Sequence, residues 1–243
     1  RHPFVLKFID SADMDDSLAL VTEPCIPLES WIAQLLTQKK TEASNQANPE
    51  QEDIEVKLQE VLWGFKCILM AINFLHIKCS LLHGNLGLHS LFVTPNGDWK
   101  LSGLELAGNM VSQSDVDHFI KHAHVLDAVY CPQERMQVEA LTAKNPPYYI
   151  DMYSFECFGQ CMQRAFNLLD LDMPRSYGKY LSSMLHVDMK KRPTAQKLLE
   201  SALFNSEHLQ FIESIGELAL KEPREFLDIV AKMEPKVAGL SRA

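Results

Sequence analysis

Leu82-His83-Gly84-Asn85, followed after four residues by Ser90-Leu91-Phe92-Val93, is the stretch that decides the fold. The apolar triplet at its end predicts a short strand, and Trp99–Leu101 predicts a second one. The connecting residues Thr94-Pro95-Asn96-Gly97-Asp98 contain Asn-Gly, a strong hairpin signal. The sequence therefore predicts a polar loop that leads into a small hairpin, with Ser102-Gly103-Leu104-Glu105 directly after it.

The rest of the chain reads as a few strands followed by many helices. Strands are expected at Arg1–Phe8 and Ser17–Glu23, joined by a turn at Asp13–Asp16, and a short helix at Leu28–Leu36. The polar segment 37–53 is expected to be a disordered insertion, because it has few residues that could bury apolar area. Helical periodicity predicts the following further helices: Ile54–Ile77, Asp151–Phe166, Tyr177–Leu185, Ala195–Leu199 and two in the tail beyond residue 204. This order indicates an α+β fold with a helical lobe.

Composition limits the classes of function. The 243 residues carry a net charge of -9, which argues against a surface built to neutralise DNA phosphates or anionic lipid. The six cysteines form no CxxC pair, and neither a signal peptide nor a transmembrane segment is predicted. These features favour a soluble protein of a reducing compartment, with a cytoplasmic location as the expectation.

Several motifs occur in the order and at the spacing found in protein kinases. Thr22-Glu23-Pro24-Cys25 resembles the gatekeeper and hinge, and His83-Gly84-Asn85 resembles the catalytic-loop triplet His-Arg-Asp. Lys100-Leu101-Ser102-Gly103-Leu104-Glu105 stands where kinases have a strand followed by Asp-Phe-Gly. Three motifs resemble the Ala-Pro-Glu segment, the start of the buried helix and the arginine segment near the lobe's end: Tyr130-Cys131-Pro132-Gln133-Glu134, Asp151-Met152-Tyr153-Ser154-Phe155 and Lys191-Arg192-Pro193-Thr194. The match covers roughly residues 2–204.

The positions that carry chemistry in kinases are replaced. Kinases use the Asp of the triplet to accept the substrate hydroxyl proton, and an Asn five residues later to hold magnesium. Those positions are Asn85 and Ser90 here, and Gly103 stands in place of the magnesium-binding carboxylate. An amide cannot act as a general base, a function typically worth about 100- to 10,000-fold in rate. The resemblance therefore implies no catalytic residue and no metal site, although Glu105 could supply a displaced carboxylate.

Positions with a structural role in kinases are kept. The resemblance implies an ion pair between Glu134 and Arg192, and a role for Asp151 in holding the catalytic-loop backbone. It also places Phe8, His83 and Leu104 in the regulatory spine. Because breaking a buried ion pair costs about 3–5 kcal/mol, such constraints persist after catalysis is lost.

Residual nucleotide binding stays open at this point. The resemblance implies a vestigial nucleotide pocket and leaves ATP as the one cofactor to consider. Its residues would be Thr22, Glu23, Cys25, Phe92 and Ser102. The chain begins within a strand-like segment, which favours an N-terminally truncated fragment whose glycine-rich loop and phosphate-pairing Lys would precede Arg1.

Other groups of residues that could suggest a functional site have structural interpretations. His118, His122 and His124 are interpreted as loop-surface residues, because Phe119 stands where a zinc protease needs Glu. Cys157 and Cys161 lie one turn apart on a predicted buried helix and are interpreted as small apolar residues. Core packing is likewise the interpretation for Trp31 and Trp63, and a spine role is preferred over a Cys79–His83 nucleophile pair.

The triplets Gly-Leu-Glu and His-Gly-Asn with a helical tail resemble the SCY-like pseudokinases. That resemblance implies a kinase-like N-lobe remnant and hinge (1–27), a kinase-like C-lobe (28–204) and a helical αα-hairpin tail that could start HEAT repeats (205–243). It implies a catalytically inactive scaffold with protein partners in vesicle-coat trafficking or tRNA nuclear export, located in the cytoplasm, at the Golgi or at the nuclear periphery. An atypical Ser/Thr kinase and a nucleotide-binding switch are the alternatives.

Overall fold

The computed structural model describes residues 2–44, 51–109, 111–125, 127–132, 148–169, 175–186 and 188–218. The strands are β1 (Phe8–Met14), β2 (Ser17–Thr22), β3 (Ile26–Pro27), β4 (Leu91–Val93) and β5 (Trp99–Leu101). The helices are α1 (Leu28–Ser44), α2 (Gln51–Phe74), α3 (Gln113–Lys121), α4 (Tyr148–Leu168), α5 (Arg175–Met184), α6 (Ala195–Leu199) and α7 (Glu207–Leu218). The chain divides into two compact units, Arg1–Phe204 and Asn205–Ala243.

The predicted hairpin after the polar loop is confirmed. Strands β4 and β5 pair antiparallel, and the other edge of β4 pairs with β3, so the sheet order is β3-β4-β5. The turn closes through hydrogen bonds from the Thr94 amide to the Asp98 carbonyl and from the Gly97 amide to the Thr94 carbonyl. Gly97 supplies the positive φ (82°) that this turn requires.

The first strand lies later than predicted. Residues 2–7 contribute only an isolated bridge between Val5 and Leu101, and β1 instead runs from Phe8 into the segment expected to turn. The turn itself is Asp15-Asp16, from which β2 returns antiparallel to β1. The prediction was wrong because apolar content alone does not show where a partner strand begins.

Helix α2 forms the centre of the first unit, as its periodicity predicts. It buries a row of apolar side chains: Val61, Leu62, Phe65, Ile68, Leu69 and Ile72. The ring of Phe65 contacts Trp99 of β5, Phe158 of α4 and Tyr177 of α5 at centroid distances of 5.5, 5.1 and 5.2 Å. The segment Lys57–Cys79 is long and apolar enough to cross a membrane, but 72% of its apolar window is buried within the fold, as in a core helix.

Helix α1 corrects the expectation of disorder over 37–53. It continues to Ser44 without interruption, and α2 begins at Gln51, while 45–50 lie outside the described residues. The segment contains Gln, Lys, Glu and Ala, which are strong helix formers despite their polarity. Lys39 adds a contact distant in sequence, since its Nζ donates to the Leu168 carbonyl at 2.7 Å. Low apolar content therefore indicated exposure rather than disorder.

The remaining helices follow the sequence closely. Helices α4, α5 and α6 match the predicted segments to within a few residues, and α6 matches at both ends. Thr194 caps α6 by accepting a hydrogen bond from the Lys197 amide. In the second unit α7 matches the first predicted tail helix, whereas the second predicted tail helix lies outside the described residues.

Candidate functional site

Asp151, which lies near the start of α4 and is fully buried, anchors the polar loop 82–90. Its two carboxylate oxygens accept hydrogen bonds from the His83 amide at 2.8 Å and the Gly84 amide at 2.9 Å. Gly84 has φ of 73°, and a Cβ there would lie 2.6 Å from the Phe119 ring, so only glycine fits this turn. The carboxylate therefore fixes the backbone of the loop to the helical core.

A second buried histidine completes this anchor. His76 Nε2 lies 2.9 Å from Asp151 Oδ2, and its ring stacks on Tyr148 at a centroid distance of 4.3 Å. Burial alone would raise the pKa of Asp151, but the hydrogen bond and charge of His76 and the loop amides hold it below its ordinary value. Asp151 is therefore in its ionised form although it is fully buried.

Both ring nitrogens of His83 form hydrogen bonds that stabilise the loop. Its Nε2 lies 2.7 Å from the Ser102 carbonyl, while its Nδ1 accepts from the Asn85 amide at 3.2 Å. This pattern assigns the neutral tautomer with the proton on Nε2. Burial lowers the pKa of His83, in agreement with that neutral form.

The three replaced positions Asn85, Ser90 and Gly103 converge in space. Gly103 has φ of 76°, and a Cβ built on it would lie 2.8 Å from Ser90 Cβ and 3.7 Å from Asn85 Nδ2. The three positions thus lie as close together as the residues of a kinase catalytic centre must. Asn85 offers an amide, Ser90 a hydroxyl and Gly103 no side chain where a kinase has a base and magnesium ligands.

The Asn85 side chain is bonded on both sides. Its Nδ2 donates to Glu105 Oε1 at 2.5 Å, and its Oδ1 lies 3.1 Å from His89 Nε2. Asn85 is only 1% exposed, so this arrangement satisfies a buried amide. Glu105, considered from the sequence as a displaced metal ligand, is thereby directed at Asn85.

The Ser90 side chain also forms hydrogen bonds within its own loop. Its hydroxyl donates to the Gly87 carbonyl at 2.8 Å and accepts from the Gly87 amide at 3.1 Å. The Ser90 carbonyl accepts from the Ser102 amide at 2.8 Å, which joins the loop to the segment after β5. The hydroxyl closes a tight turn and is not directed toward Gly103.

The five residues expected to line a nucleotide pocket have mainly structural contacts. Glu23 Oε1 accepts from the Lys7 amide at 2.9 Å, and the Thr22 hydroxyl donates to the Glu23 carbonyl at 3.1 Å. Phe92 is half-buried within β4, and the Ser102 carbonyl is taken by His83. Cys25 lines a cleft of about 580 Å³ whose lining does not include the other four residues.

Comparisons with known proteins agree with this geometry. The chain is 26% identical over 98% of its length to "Probable inactive serine/threonine-protein kinase scy1" of Dictyostelium discoideum. It is 28% identical over 99% of its length to "Protein-associating with the carboxyl-terminal domain of ezrin" of Mus musculus. "Protein kinase domain-containing protein ppk3" of Schizosaccharomyces pombe is 19% identical over 98% of the chain. No family model matches the chain.

The resemblance to the SCY-like pseudokinases is confirmed. The chain spans 27%, 30% and 34% of these three relatives, respectively. Among solved structures, Cex1p matches 97% of this chain and 38% of its own at 17% identity, with a TM-score of 0.56. That match shows the fold alone, and the α+β, protein-kinase-like fold is confirmed with it.

The SCY-like resemblance also assigned structural roles that the geometry refines. Arg192 is 7% exposed, and it donates from Nε to the His186 carbonyl at 3.0 Å and from Nη1 to the Tyr149 carbonyl at 3.4 Å. Its expected partner Glu134 lies outside the described residues. Phe8 and Leu104 are 58% and 39% exposed, so the structure does not bury them in a stack with His83.

The simpler interpretations hold for Trp63 and Cys157, which are buried, whereas His118 lies on α3 rather than in a loop and Trp31 is only half-buried. One ring nitrogen of each of His118, His122 and His124 pairs with a backbone carbonyl, and the described part of the chain contains no cluster suited to a metal. Burial raises the pKa of the Cys157 thiol to about 11, which does not suit a reactive thiolate. Trp63 is buried, with its Nε1 donating to Asp98 at 3.1 Å, whereas Trp31 is half-buried and lines the cleft.

Sequence reasoning missed three partners in this site: His76, His89 and Glu105 as the partner of Asn85. His89 lies one helical turn after Asn85 in the sequence, and this spacing was an available signal. Neither the 20-residue separation of Asn85 from Glu105 nor the 75-residue separation of His76 from Asp151 gives a local pattern.

Proposed function

We propose that the chain is a catalytically inactive, kinase-like scaffold domain that acts by binding other proteins. The observation that carries the proposal is the hydrogen bond from Asn85 to Glu105. Asn85 stands where a kinase has its catalytic base, and here that position holds an amide whose donor is occupied by a carboxylate. An amide neither takes a proton from a hydroxyl nor has a pKa that burial could bring near neutrality.

The magnesium-binding positions support the same conclusion. Hard cations prefer carboxylate and carbonyl oxygens, and Gly103 offers no side chain at all. The Ser90 hydroxyl closes its own turn through Gly87. Glu105 provides a carboxylate nearby, but its Oε1 binds Asn85.

The finer role that we propose is in intracellular membrane trafficking or tRNA nuclear export, as the SCY-like resemblance implies. Vesicle-coat and tRNA-export components are then the partner classes, and the cytoplasm, the Golgi and the nuclear periphery the locations. The mouse relative is named for association with the carboxyl-terminal domain of ezrin, which makes that domain a concrete first partner to test.

The catalytic part of the proposal is tested on the full-length protein with labelled ATP, magnesium or manganese, and a generic acceptor protein. We expect no transfer above that of a matched preparation carrying Ser102→Trp, which would block the vestigial pocket. Transfer that this variant abolishes would support an atypical kinase instead. A thermal shift with ATP but without transfer would support the nucleotide-binding switch.

The scaffold part is tested by binding. Immobilised full-length protein and its Asn85→Asp variant would be compared for capture of the purified ezrin carboxyl-terminal domain and of purified coat and tRNA-export components. We expect at least one of these partners to bind, with equal affinity for both forms, because catalytic-loop chemistry is not used. Failure of all these partners to bind would contradict the finer role.

A further inference from the structure

The lining of the cleft of about 580 Å³ includes no residue of the loop 82–90. Its walls come from the segment after β2, from α1, from α2 and from the β4–β5 hairpin. The lining residues are Pro24, Cys25, Ile26, Trp31, Glu60, Val93, Thr94, Pro95, Asn96, Gly97 and Trp99. The volume is within the range of sites that accept several side chains of a ligand.

Apart from Cys25, which belongs to both sets of residues, strand geometry separates this cleft from the vestigial nucleotide site. Successive side chains on β4 point to opposite faces, and the cleft is lined by Val93 while Phe92 belongs to the other face. Asn85, Ser90 and Gly103 are not among its lining residues. Binding in this cleft would therefore not require nucleotide or the catalytic loop.

The walls are apolar and aromatic. Trp31 of α1 meets Trp99 of β5 edge to face, with ring centroids 5.9 Å apart, and Trp31 remains partly exposed. Ile26 and Val93 add aliphatic surface where β3 pairs with β4. These groups suit a branched aliphatic or aromatic side chain.

The polar groups of the cleft favour a ligand that donates hydrogen bonds. The Thr94 and Gly97 amides are already used within the turn, at 3.0 and 2.9 Å, and Pro24 and Pro95 have no amide proton. Glu60 contributes a carboxylate to the wall, and the protein carries a net charge of -9. Burial, opposed in part by the charge of Lys57, raises the pKa of Glu60, and a second cation beside the carboxylate would stabilise its charged form by direct attraction.

We propose that this cleft binds a linear segment of a partner protein in which an arginine or lysine lies a few residues from a large apolar side chain. The apolar side chain packs on Trp31 and Ile26, which are partly exposed in the lining, and the basic side chain pairs with Glu60. This inference deepens the scaffold proposal and rests on it, since it names a surface for protein binding and the chemistry of the partner. A cation held over the exposed face of Trp31 adds to the attraction.

The test uses full-length protein and a panel of fluorescein-labelled dodecapeptides that place two arginines two to five residues from a Leu-x-Leu pair. A charge-reversed panel carries Glu at the arginine positions. Fluorescence anisotropy should show saturable binding of at least one basic peptide and none of the acidic ones. Added salt should weaken the binding, because part of it is electrostatic.

Variants locate the binding on the protein. Glu60→Gln should weaken it about 2- to 5-fold, the range for a solvent-accessible ion pair. Asn96→Arg places a cation at the rim on an exposed turn without disturbing the core, and it should weaken binding at least about 10-fold through like-charge repulsion. The control is Glu207→Gln, which makes the same charge change at a residue that does not line the cleft.

Unchanged affinity in both cleft variants, or equal binding of the basic and acidic panels, overturns the proposal. So does the absence of binding by every basic peptide at millimolar concentration. These results would leave the scaffold role testable at other surfaces. Phosphate transfer by the full-length protein would instead contradict the proposed function, and the peptide-binding result would still stand. Tm measured for each variant confirms that affinity is compared among folded proteins.

Discussion

The Asn85 amide donates its hydrogen bond to the carboxylate of Glu105, 20 residues later in the chain. Asn85 lies within the polar loop and Glu105 follows β5, so the bond joins these two segments of the chain. His89 binds the opposite end of the same amide at 3.1 Å. The site is therefore organised as a structural network.

Replacing Asn85 by Asp should destabilise the protein without creating activity. Two carboxylates would meet where a donor and an acceptor meet now, and only the contact with His89 would remain for the buried one. We expect a loss of about 1–3 kcal/mol in the free energy of unfolding at pH 7.5, measured by urea denaturation. The loss should shrink at pH 5, where the pair can share a proton.

The control for that prediction is the double variant Asn85→Asp with Glu105→Gln. It restores one donor and one acceptor in the reverse order, so it should recover most of the lost stability. Additive losses in the double-mutant cycle would show that the two side chains do not interact as the structure shows.

Replacing Gly103 by Ala should destabilise the fold more than the same change at Gly97. Both residues have positive φ, 76° and 82°, so both variants incur backbone strain of about 1–2 kcal/mol. Only at Gly103 would the new Cβ also collide with Ser90, whereas at Gly97 it has no neighbour within 4 Å in the described part of the chain. We expect an additional loss of about 1–3 kcal/mol at Gly103, measured by chemical denaturation. Equal losses at the two glycines would argue against the close contact with Ser90.

Replacing Asp151 by Asn should be among the most damaging changes on α4. The carboxylate accepts from two loop amides and pairs with His76, and the variant keeps only one carbonyl oxygen as an acceptor. Leaving a buried hydrogen-bond donor without its acceptor costs about 1–3 kcal/mol for each group. Thermal unfolding and hydrogen exchange at the His83 and Gly84 amides would measure the effect. Asp117→Asn, at an exposed position on α3, is the matched control and should leave both readouts within error.

Glu156 should make stability decrease as the pH rises. Burial raises its pKa to about 7, and one of its oxygens has no hydrogen-bond partner among the residues that the structure describes. The folded state thus binds the proton more tightly than the unfolded state, so stability from this group is full below about pH 4.5 and is lost as the pH rises toward 7.

Glu156→Gln removes that ionisation. The variant should gain about 1–3 kcal/mol relative to the native chain at pH 8, and this difference should fall as the pH is lowered to 5. Urea unfolding across this pH range checks it, with exposed Glu200→Gln as the control. A gain that does not depend on pH would show that packing, rather than proton binding, is responsible.

The parts of the structure that the sequence predicted are those marked by a pattern among residues close together in the chain. The Asn-Gly turn predicted the β4–β5 hairpin, and the apolar period predicted α2 and its burial. The failures came where the deciding contact is distant in sequence. Helix α1 extends past Leu36 with support from the Lys39 contact at Leu168, and β1 begins at Phe8 because β2 pairs there.

The sequence by itself determined which side chains stand at Asn85, Ser90 and Gly103, where the kinase resemblance expects a base and magnesium ligands, because residue identity sets what chemistry a position can offer. Only the tertiary structure decided what replaced that chemistry. Asn85 meets Glu105, His76 meets Asp151, and the hinge segment, α1, α2 and the hairpin form a cleft. These partners are separated by tens of residues, and side chains so far apart in sequence meet only when burial of the core around α2 fixes the path of the backbone between them.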